Sequence, residues 1–327
     1  MGKNKTRLQQ NNTDLQAIKV TVEGLPTLPI PQVVTIDGIQ HSEDLVFESR
    51  ILDLEMPVLP YTFNYGSAVV LNNEIHILGG NDNVTKHYKF NGTSWVQVSA
   101  LPYNFNSGSA VVLNNEIHIL GSSYEGVRTN HYKFNGSSWV KVSTLPYEFY
   151  GGSAVVLNNE IHILGGVNDT TKHYKFNGSS WVQVSTLPYA LQYGTAVILN
   201  GEIHILGSSL DSGTNHYKFN GSSWVKVSTL PYEFNNGSAV VLNNEIHILG
   251  GYTLSSVKYY RNHYKFNGTS WTSVSTLPYP FSVACAVVAN VVVNNVIHIL
   301  GSREVGYQVS YQGYHYIVKG TIYTLIQ

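Results

Sequence analysis

A phrase that recurs six times constrains this chain more than any other feature of its sequence. Each copy contains the triplet Leu-Pro-Tyr, and the steps between successive prolines of these triplets are 42, 44, 42, 43 and 47 residues. A fixed period in the forties indicates a repeat architecture, in which neighbouring copies stack on one another. The prolines of the six triplets are Pro60, Pro102, Pro146, Pro188, Pro231 and Pro278.

The first half of a repeat predicts a tight β-hairpin. In the second copy, residues 109–113 (SAVVL) are small and β-branched, which favours a strand that is buried on both faces. Residues 116–120 (EIHIL) alternate as a second strand does. Asn114 and Asn115 lie between them, and asparagine tolerates the positive φ of a two-residue hairpin turn.

The second half of a repeat predicts another hairpin after a variable loop. Residues 131–134 (HYKF) and 138–142 (SWVKV) are separated by Asn135-Gly136, a strong turn signal. Pro146 ends the fourth strand. Four antiparallel strands in each period are typical of one blade of a β-propeller.

The details of the repeat resemble the kelch motif over roughly residues 60–327. Three copies end the second strand in Gly-Gly, and five copies carry a Tyr and a Trp seven positions apart. The resemblance implies an all-β, six-bladed kelch-like β-propeller. The chain departs from the kelch pattern in having Gly-Ser in copies two, four and six, His for Tyr in the second strand, and no basic residue before the first strand. The aromatic pairs are Tyr88/Trp95, Tyr132/Trp139, Tyr174/Trp181, Tyr217/Trp224 and Tyr264/Trp271, with Tyr316 and Tyr323 in the sixth copy.

Composition excludes several classes of partner. Charged residues are only 12% of the chain and the net charge is −1, so nothing indicates an electrostatic grip on nucleic acid. No apolar run is long enough for membrane insertion. Cys285 is the single cysteine, so the chain forms no intrachain disulfide, and the polar start is not typical of a signal peptide.

Histidine is abundant but periodic, and we interpret it as structural. Twelve of the 13 histidines fall at two repeat positions, in the second strand and at the start of the third. Equivalent positions in different blades diverge, whereas metal ligands must converge within a few ångströms. We therefore predict no metal site and no cofactor. The two sets are His76, His118, His162, His204, His247 and His298, and His87, His131, His173, His216, His263 and His315.

The sequence offers no catalytic residues, and we predict that the protein is not an enzyme. Copper chemistry on a kelch scaffold requires a cysteine crosslinked to tyrosine, and Cys285 lies in an apolar strand that favours a buried, inert thiol. A kelch-type sugar-modifying enzyme such as a sialic acid epimerase is the strongest enzymatic alternative. It needs acidic and basic groups at the central tunnel, and the predicted innermost strands carry none.

The N-terminus predicts an arm over residues 1–46, followed by the propeller over residues 47–327. Residues 11–18 (NNTDLQAI), in a possible short helix, and 24–26 (GLP) resemble the opening of tail-associated virion proteins of phages of Gram-positive bacteria. The resemblance implies that the arm docks to virion or tail proteins. Two segments are candidates to close the ring: we assign residues 321–325 as the fourth strand of blade six, and residues 47–55 as an added outer strand.

The connectivity of a blade predicts which side carries variation. The Asn-Asn and Asn-Gly turns fall on one side, and the variable loops and Leu-Pro-Tyr connectors on the other, where tyrosine is frequent. Loops held on a rigid scaffold are where binding residues concentrate, and tyrosine gives contact area at low entropic cost. The predicted ligand-binding residues are Tyr124, Arg128, Tyr252, Tyr259, Tyr260, Arg261, Tyr307 and Tyr311.

These observations predict a non-catalytic binding module. The preferred setting is a phage tail or other virion appendage that recognises a host-surface glycan or protein. Such a protein is found in the virion, and in the host cytoplasm before assembly, and it can form a homo-oligomer. The alternative is a cytoplasmic kelch-type interaction scaffold, followed by the sugar-modifying enzyme.

Overall fold

The computed structural model describes the chain in segments. These are residues 34–36, 39–41, 57–81, 84–211, 213–253, 258–277, 280–282, 285–289, 296–305, 308–319 and 322–326. Side chains are described from residue 57 to 282 within these segments, and at 297–301. All regular structure in the described segments is β. The chain divides into two compact units, Met1–Ile51 and Leu52–Gln327.

The first unit contains one described hairpin. Strand β1 (Val34–Ile36) pairs with β2 (Ile39–His41) in antiparallel fashion, with Ile36 opposite Ile39. The predicted helix in this unit and the predicted outer strand at 47–55 lie outside the described residues.

The second unit is built from six four-stranded antiparallel sheets within the described segments. Each sheet is a blade and is numbered here in chain order. Blade 1 comprises β3 (Ser67–Leu71), β4 (Glu74–Leu78), β5 (His87–Phe90) and β6 (Trp95–Gln97). Blade 2 comprises β7 (Ser109–Leu113), β8 (Glu116–Leu120), β9 (Asn130–Phe134) and β10 (Trp139–Thr144). Blade 3 comprises β11 (Ser153–Leu157), β12 (Glu160–Leu164), β13 (Lys172–Phe176) and β14 (Trp181–Thr186).

The remaining blades follow the same order, with one insertion. Blade 4 comprises β15 (Thr195–Leu199), β16 (Glu202–Leu206), β17 (Asn215–Phe219) and β18 (Trp224–Thr229). Blade 5 comprises β19 (Ser238–Leu242), β20 (Glu245–Leu249), β23 (Asn262–Phe266) and β24 (Trp271–Thr276), and its loop carries a ribbon of β21 (Tyr252–Thr253) and β22 (Lys258–Tyr259). Blade 6 comprises β25 (Cys285–Ala289), β26 (Val296–Val305), β27 (Gln308–Lys319) and β28 (Ile322–Ile326).

The first strands of the blades surround a common axis. Strand β3 lies beside β7, β7 beside β11, β11 beside β15, β15 beside β19, β19 beside β25, and β25 beside β3, so the ring closes. The prediction of an all-β propeller is therefore confirmed.

Five blades follow one template, and the sixth sheet departs from it. Strands β26 and β27 run on as a long hairpin of 10 and 12 residues. Strand β28 pairs with β27, which confirms the C-terminal segment as the fourth strand of blade 6. Tyr323 lies opposite Val318, the register that Trp224 and Phe219 have in blade 4.

The two faces of the ring differ as the sequence predicts. Asn114 and Asn115 have φ values of 50° and 61°, which the short turn between β7 and β8 requires. These turns and the Asn-Gly turns form what we call the turn face. The second-to-third loops and the Leu-Pro-Tyr connectors form the opposite side, which we call the loop face.

Neighbouring blades pack face against face. Ile117, Ile119 and Phe134 of blade 2 lie in one buried cluster with Leu71 and Leu78 of blade 1. The same cluster recurs between the following blades. Burying each such side chain contributes about 1.5–3 kcal/mol relative to exposure. Most of the core therefore lies between sheets.

A hydrogen-bonded relay crosses the interface between blades. His118 Nδ1 lies 2.8 Å from His131 Nε2, and His131 Nδ1 lies 2.8 Å from Ser143 Oγ. The indole Nε1 of Trp181, in the next blade, donates to the same Ser143 oxygen at 3.0 Å. The relay links the second, third and fourth strands of one blade to the outermost strand of the next. It recurs as His162–His173–Ser185–Trp224 and His204–His216–Ser228–Trp271.

The tryptophans lie at the blade interfaces and are half-buried. The ring of Trp181 lies 5.2 Å from that of Phe176 in its own blade and 5.7 Å from that of His131 in the preceding blade. Each indole therefore spans two sheets while one edge stays in solvent.

Burial keeps the relay histidines neutral. Burial lowers the pKa of His162 to about 4 and that of His173 to about 3. The neighbouring His162 ring lowers the pKa of His173 further. Glu160 opposes the shift of His162, and Lys175 adds to it. Two neutral imidazoles can share one hydrogen bond, because one ring nitrogen donates and the other accepts.

The relay is open between blades 1 and 2. Ser99 Oγ donates to the carbonyl oxygen of Ser137 in blade 2 at 3.0 Å instead of joining His87 to Trp139. As a result, His87 Nδ1 and Trp139 Nε1 are buried without a hydrogen-bond partner. This interface is a natural control for the others.

We expect Ser185→Ala to destabilise the protein by about 1–3 kcal/mol, the cost of leaving buried polar groups unpaired. The substitution removes the only serine oxygen shared by His173 and Trp224. Ser99→Ala is the matched control, since its relay is already open, and we expect a smaller loss there. Urea unfolding at pH 7.5 measures both. Equal losses for the two variants would contradict a structural role for the relay.

We expect acid to unfold the protein through the histidine pairs. The folded pKa values of about 3 and 4 for His173 and His162 lie below the unfolded value of about 6.5, so the unfolded chain binds more protons between these limits. The contribution of these histidine pairs to the free energy of unfolding is therefore complete above about pH 7. It falls as the pH decreases, by about 1.4 kcal/mol per pH unit for each extra proton that the unfolded chain binds. Urea titrations between pH 7.5 and 5 measure the slope. A flat profile over this range would show that the pairs accept protons without loss of folding.

Candidate functional site

The tyrosine of each Leu-Pro-Tyr triplet within the described residues is structural. Tyr103 is buried, and its hydroxyl donates to the carbonyl oxygen of Gly121 at 3.1 Å. Tyr147 and Tyr189 make the same bond to Gly165 and Gly207. These phenols tie the connector to the end of the second strand and are not available to a ligand.

Beyond that tyrosine, neighbouring connectors are hydrogen-bonded to one another around the axis. In four described connectors an amide donates to the carbonyl oxygen of the equivalent residue in the preceding connector, at 2.7–2.8 Å, and the five residues so joined have a φ between 50° and 62°. We call these residues the mouth ring. Its described members are Tyr65, Ser107, Gly151, Tyr193 and Asn236.

Tyr193 is held in an unfavourable backbone conformation. Its φ of 51° lies in the left-handed region, which glycine adopts at little cost and a bulky side chain rarely does. The equivalent residue in the preceding blade is Gly151, and its missing side chain makes room for Tyr193. A Cβ at Gly151 would lie 2.9 Å from Cε1 of the Tyr193 ring. Strain of this kind clusters at functional sites, where the surrounding structure stabilises it.

Four tyrosines from three blades form a continuous group at the mouth. Burial raises the pKa of Tyr193, and the hydroxyls of Tyr150 and Tyr252 raise it further. Backbone hydrogen bonds join the three segments: the Tyr193 amide donates to Gly151, which follows Tyr150, and the Tyr193 carbonyl oxygen accepts from Asn236, whose neighbour Asn235 accepts from the Tyr252 amide. The ring of Tyr252 lies 5.7 Å from that of Tyr259. We call Tyr150, Tyr193, Tyr252 and Tyr259 the tyrosine arc.

The β21–β22 ribbon positions one end of the arc. Tyr252 pairs with Tyr259 across the two strands, and the Tyr252 amide donates to the carbonyl oxygen of Asn235 at 2.9 Å. The ring centroid of the adjacent Tyr260 lies 4.8 Å from that of Tyr232, and Lys258 Nζ lies 5.5 Å from the centroid of the Tyr260 ring. The ribbon is thus fixed to blade 5 on both sides.

Amide side chains lie beside the arc. Asn236 Nδ2 donates to Asn235 Oδ1 at 3.0 Å. Asn235 is 2% exposed, and its own Nδ2 has no hydrogen-bond acceptor among the described residues. In blade 2 the equivalent Asn106 donates to Asn81 instead. Blade 5 therefore carries an unused donor next to Tyr252.

The charged groups near the two ends of the arc differ: Arg128 forms an ion pair at the Tyr150 end, whereas Lys258 at the ribbon end lies over Tyr260 and has no ion pair among the described residues. Arg128 Nη1 donates to Glu148 Oε2 at 3.0 Å, and its guanidinium carbon lies 5.1 Å from the centroid of Tyr150. Arg261 Nε donates to the carbonyl oxygen of Leu277 at 2.6 Å. Arg261 was predicted to contact a ligand, and this bond gives it a structural task at the start of the sixth connector.

The structure brings together part of the predicted ligand-binding set. Tyr252, Tyr259 and Tyr260 lie on the ribbon, and Arg128 lies at the far end of the arc, over Tyr150. Tyr124 is 40% exposed in the loop of blade 2 and is no member of the arc. Tyr307 lies outside the described residues, and Tyr311 is described only by its backbone in β27.

Two arc residues were not in the predicted set. Tyr150 and Tyr193 lie in connectors, and the sequence pattern alone assigns the aromatic residues of the connectors to packing. One signal in the sequence does distinguish Tyr193, because it holds a repeat position that is glycine in the third copy.

The turn face carries paired charges. Lys133 Nζ lies 2.8 Å from Glu116 Oε2, and an equivalent Lys–Glu pair occurs in each of the first five blades. These side chains are about one-quarter to one-third exposed, so each pair contributes little to stability.

Neither a metal cluster nor a membrane-spanning helix occurs in the described segments. No group of three or more His, Cys, Asp or Glu side chains in the described segments is arranged to hold a metal ion. Among those same segments, no helix has the length and hydropathy needed to span a bilayer.

Comparison with known proteins supports the fold. No family model matches the chain, and no curated protein matches it. The solved structure of YjhT superposes with a TM-score of 0.71 at 16% sequence identity, covering 83% of this chain and 99% of YjhT. At this identity the match shows a shared fold, the β-propeller.

Proposed function

We propose that the protein is a non-catalytic binding module that recognises a host-surface glycan or protein through the tyrosine arc. The observation that carries the proposal is the placement of Tyr150, Tyr193 and Tyr252, from three different blades, along one run of backbone hydrogen bonds at the mouth of the ring. Tyrosine is enriched at binding surfaces because its ring is apolar while its hydroxyl bonds to polar groups. A rigid scaffold supports the arc, which lowers the entropic cost of binding.

The proposed setting is a phage tail or another virion appendage. The support for it is the resemblance of residues 11–18 and 24–26 to tail-associated virion proteins. In this setting the arm over residues 1–46 docks to the particle and the loop face meets the host. A cytoplasmic interaction scaffold uses the same face for a protein partner, and a sugar-modifying enzyme requires turnover at it.

We expect the double substitution Tyr252→Ala, Tyr259→Ala to reduce binding at least tenfold, because it removes the ring surface at one end of the arc. The assay is biolayer interferometry on purified cell walls of Gram-positive bacteria, with a glycan array and a turnover screen of the bound sugars alongside. The matched control is Val182→Ala, Val225→Ala, which shortens two exposed side chains on outer strands.

The outcomes separate the hypotheses. Loss of binding in the tyrosine variant, with the valine variant unaffected, supports the arc. Equal binding by both variants would move the site elsewhere. Chemical conversion of a bound sugar by the unmodified protein would replace the binding module with an enzyme.

A further inference from the structure

We infer that the tyrosine arc binds an uncharged, hydroxyl-rich saccharide that stacks on Tyr193 and Tyr252. The inference rests on the proposed function, and it adds the chemical class of the ligand. The inference depends on three features of the mouth: the strained Tyr193 seated on Gly151, the ion pair of Arg128 with Glu148, and the unused amide donor of Asn235.

Tyr193 combines a positive φ with a seat for its ring on the preceding blade. All five described positions of the mouth ring have positive φ, so glycine would be the least strained choice at each. Among them only blade 3 has glycine, and that glycine leaves room for the ring of Tyr193. The ring is therefore seated on a glycine backbone and half-buried, and we expect its open side to serve as a stacking platform for the apolar C–H face of a sugar.

The charges at the Tyr150 end of the arc argue against an anionic ligand there. Arg128 lies over Tyr150, and Glu148 neutralises it at 3.0 Å. Lys172, the first residue of β13, forms an ion pair with Asp169 and lies 5.1 Å over the ring of Tyr147. A carboxylate or phosphate ligand would have to displace these carboxylates, whereas a neutral ligand would not.

The remaining polar groups suit hydroxyls. Asn235 Nδ2 is a buried donor with no acceptor in the described residues, and the Asn235 carbonyl oxygen accepts the hydrogen bond of the Tyr252 amide, which places this donor beside Tyr252. An unpaired buried amide is costly, and a hydroxyl oxygen, of a ligand or of a water it orders, can satisfy it. Neutral amides and phenols can both donate to and accept from hydroxyl groups.

The experiment compares neutral and anionic polymers from the same source. The full chain is titrated with neutral cell-wall polysaccharide and with teichoic acid, a polyanion, from Gram-positive bacteria, in 50 and 500 mM NaCl. We expect binding to the neutral polysaccharide, with a Kd that changes less than about twofold between the two salt concentrations, because uncharged contacts are not screened.

A matched pair of variants tests the platform itself. We expect Tyr193→Gly to lose at least tenfold in affinity for the neutral polysaccharide while the melting temperature stays the same or rises, since glycine relieves the positive φ. Tyr65→Gly is the control, because Tyr65 has a φ of 57° in the same ring but lies in blade 1, away from the arc. It should keep full affinity.

The failures are distinguishable. Binding to teichoic acid alone, with affinity falling steeply in salt, would overturn the uncharged saccharide and leave the binding module standing. Equal affinity in Tyr193→Gly and the unmodified protein would overturn the stacking platform. Binding to neither polymer, nor to whole cell walls, would count against the proposed function as well.

Discussion

At three interfaces the packing of neighbouring blades depends on a hydrogen bond from the indole of one tryptophan to a serine of the preceding blade. Trp181 donates to Ser143, and Ser143 is bonded to the histidine pair within its own sheet. An apolar interface alone would hold two sheets together but would allow them to slide, because hydrophobic burial is non-directional. The indole, which also packs against both sheets, fixes their register.

This register is what allows strain to be concentrated at the mouth. Ser107, Gly151 and Tyr193 are bonded head to tail through their backbones, and each bond needs the neighbouring blade at a fixed distance. A ring so constrained can keep a tyrosine at a φ of 51°, which an isolated loop would relax. The relay fixes the positions of the blades, and the blades hold Tyr193 of the proposed binding surface over Gly151.

Much of the fold could be predicted from the sequence, because its determinants are local. The Asn-Asn turns and the alternation of EIHIL specify hairpins within a few residues, and the repeat supplies the rest. The structural role of the histidines followed from their period, although their bond to serine and tryptophan did not. Half of the arc was predicted. The ribbon residues Tyr252 and Tyr259 could be predicted because they lie in an unusually long loop. Tyr150 and Tyr193 could not, because they lie near Tyr252 only through contacts between blades that are far apart in sequence.

The central claim is that ligand binds at the mouth of the loop face, over blades 3 to 5. Hydrogen exchange of the full chain, with and without purified Gram-positive cell-wall polysaccharide, tests it most directly because the backbone amides of the mouth ring report on that surface. The account predicts slower exchange in peptides that cover residues 148–153, 190–195 and 250–262, with no change at the Asn-Gly turns. Slower exchange confined to the turn face, or to blades 1 and 2, would contradict it.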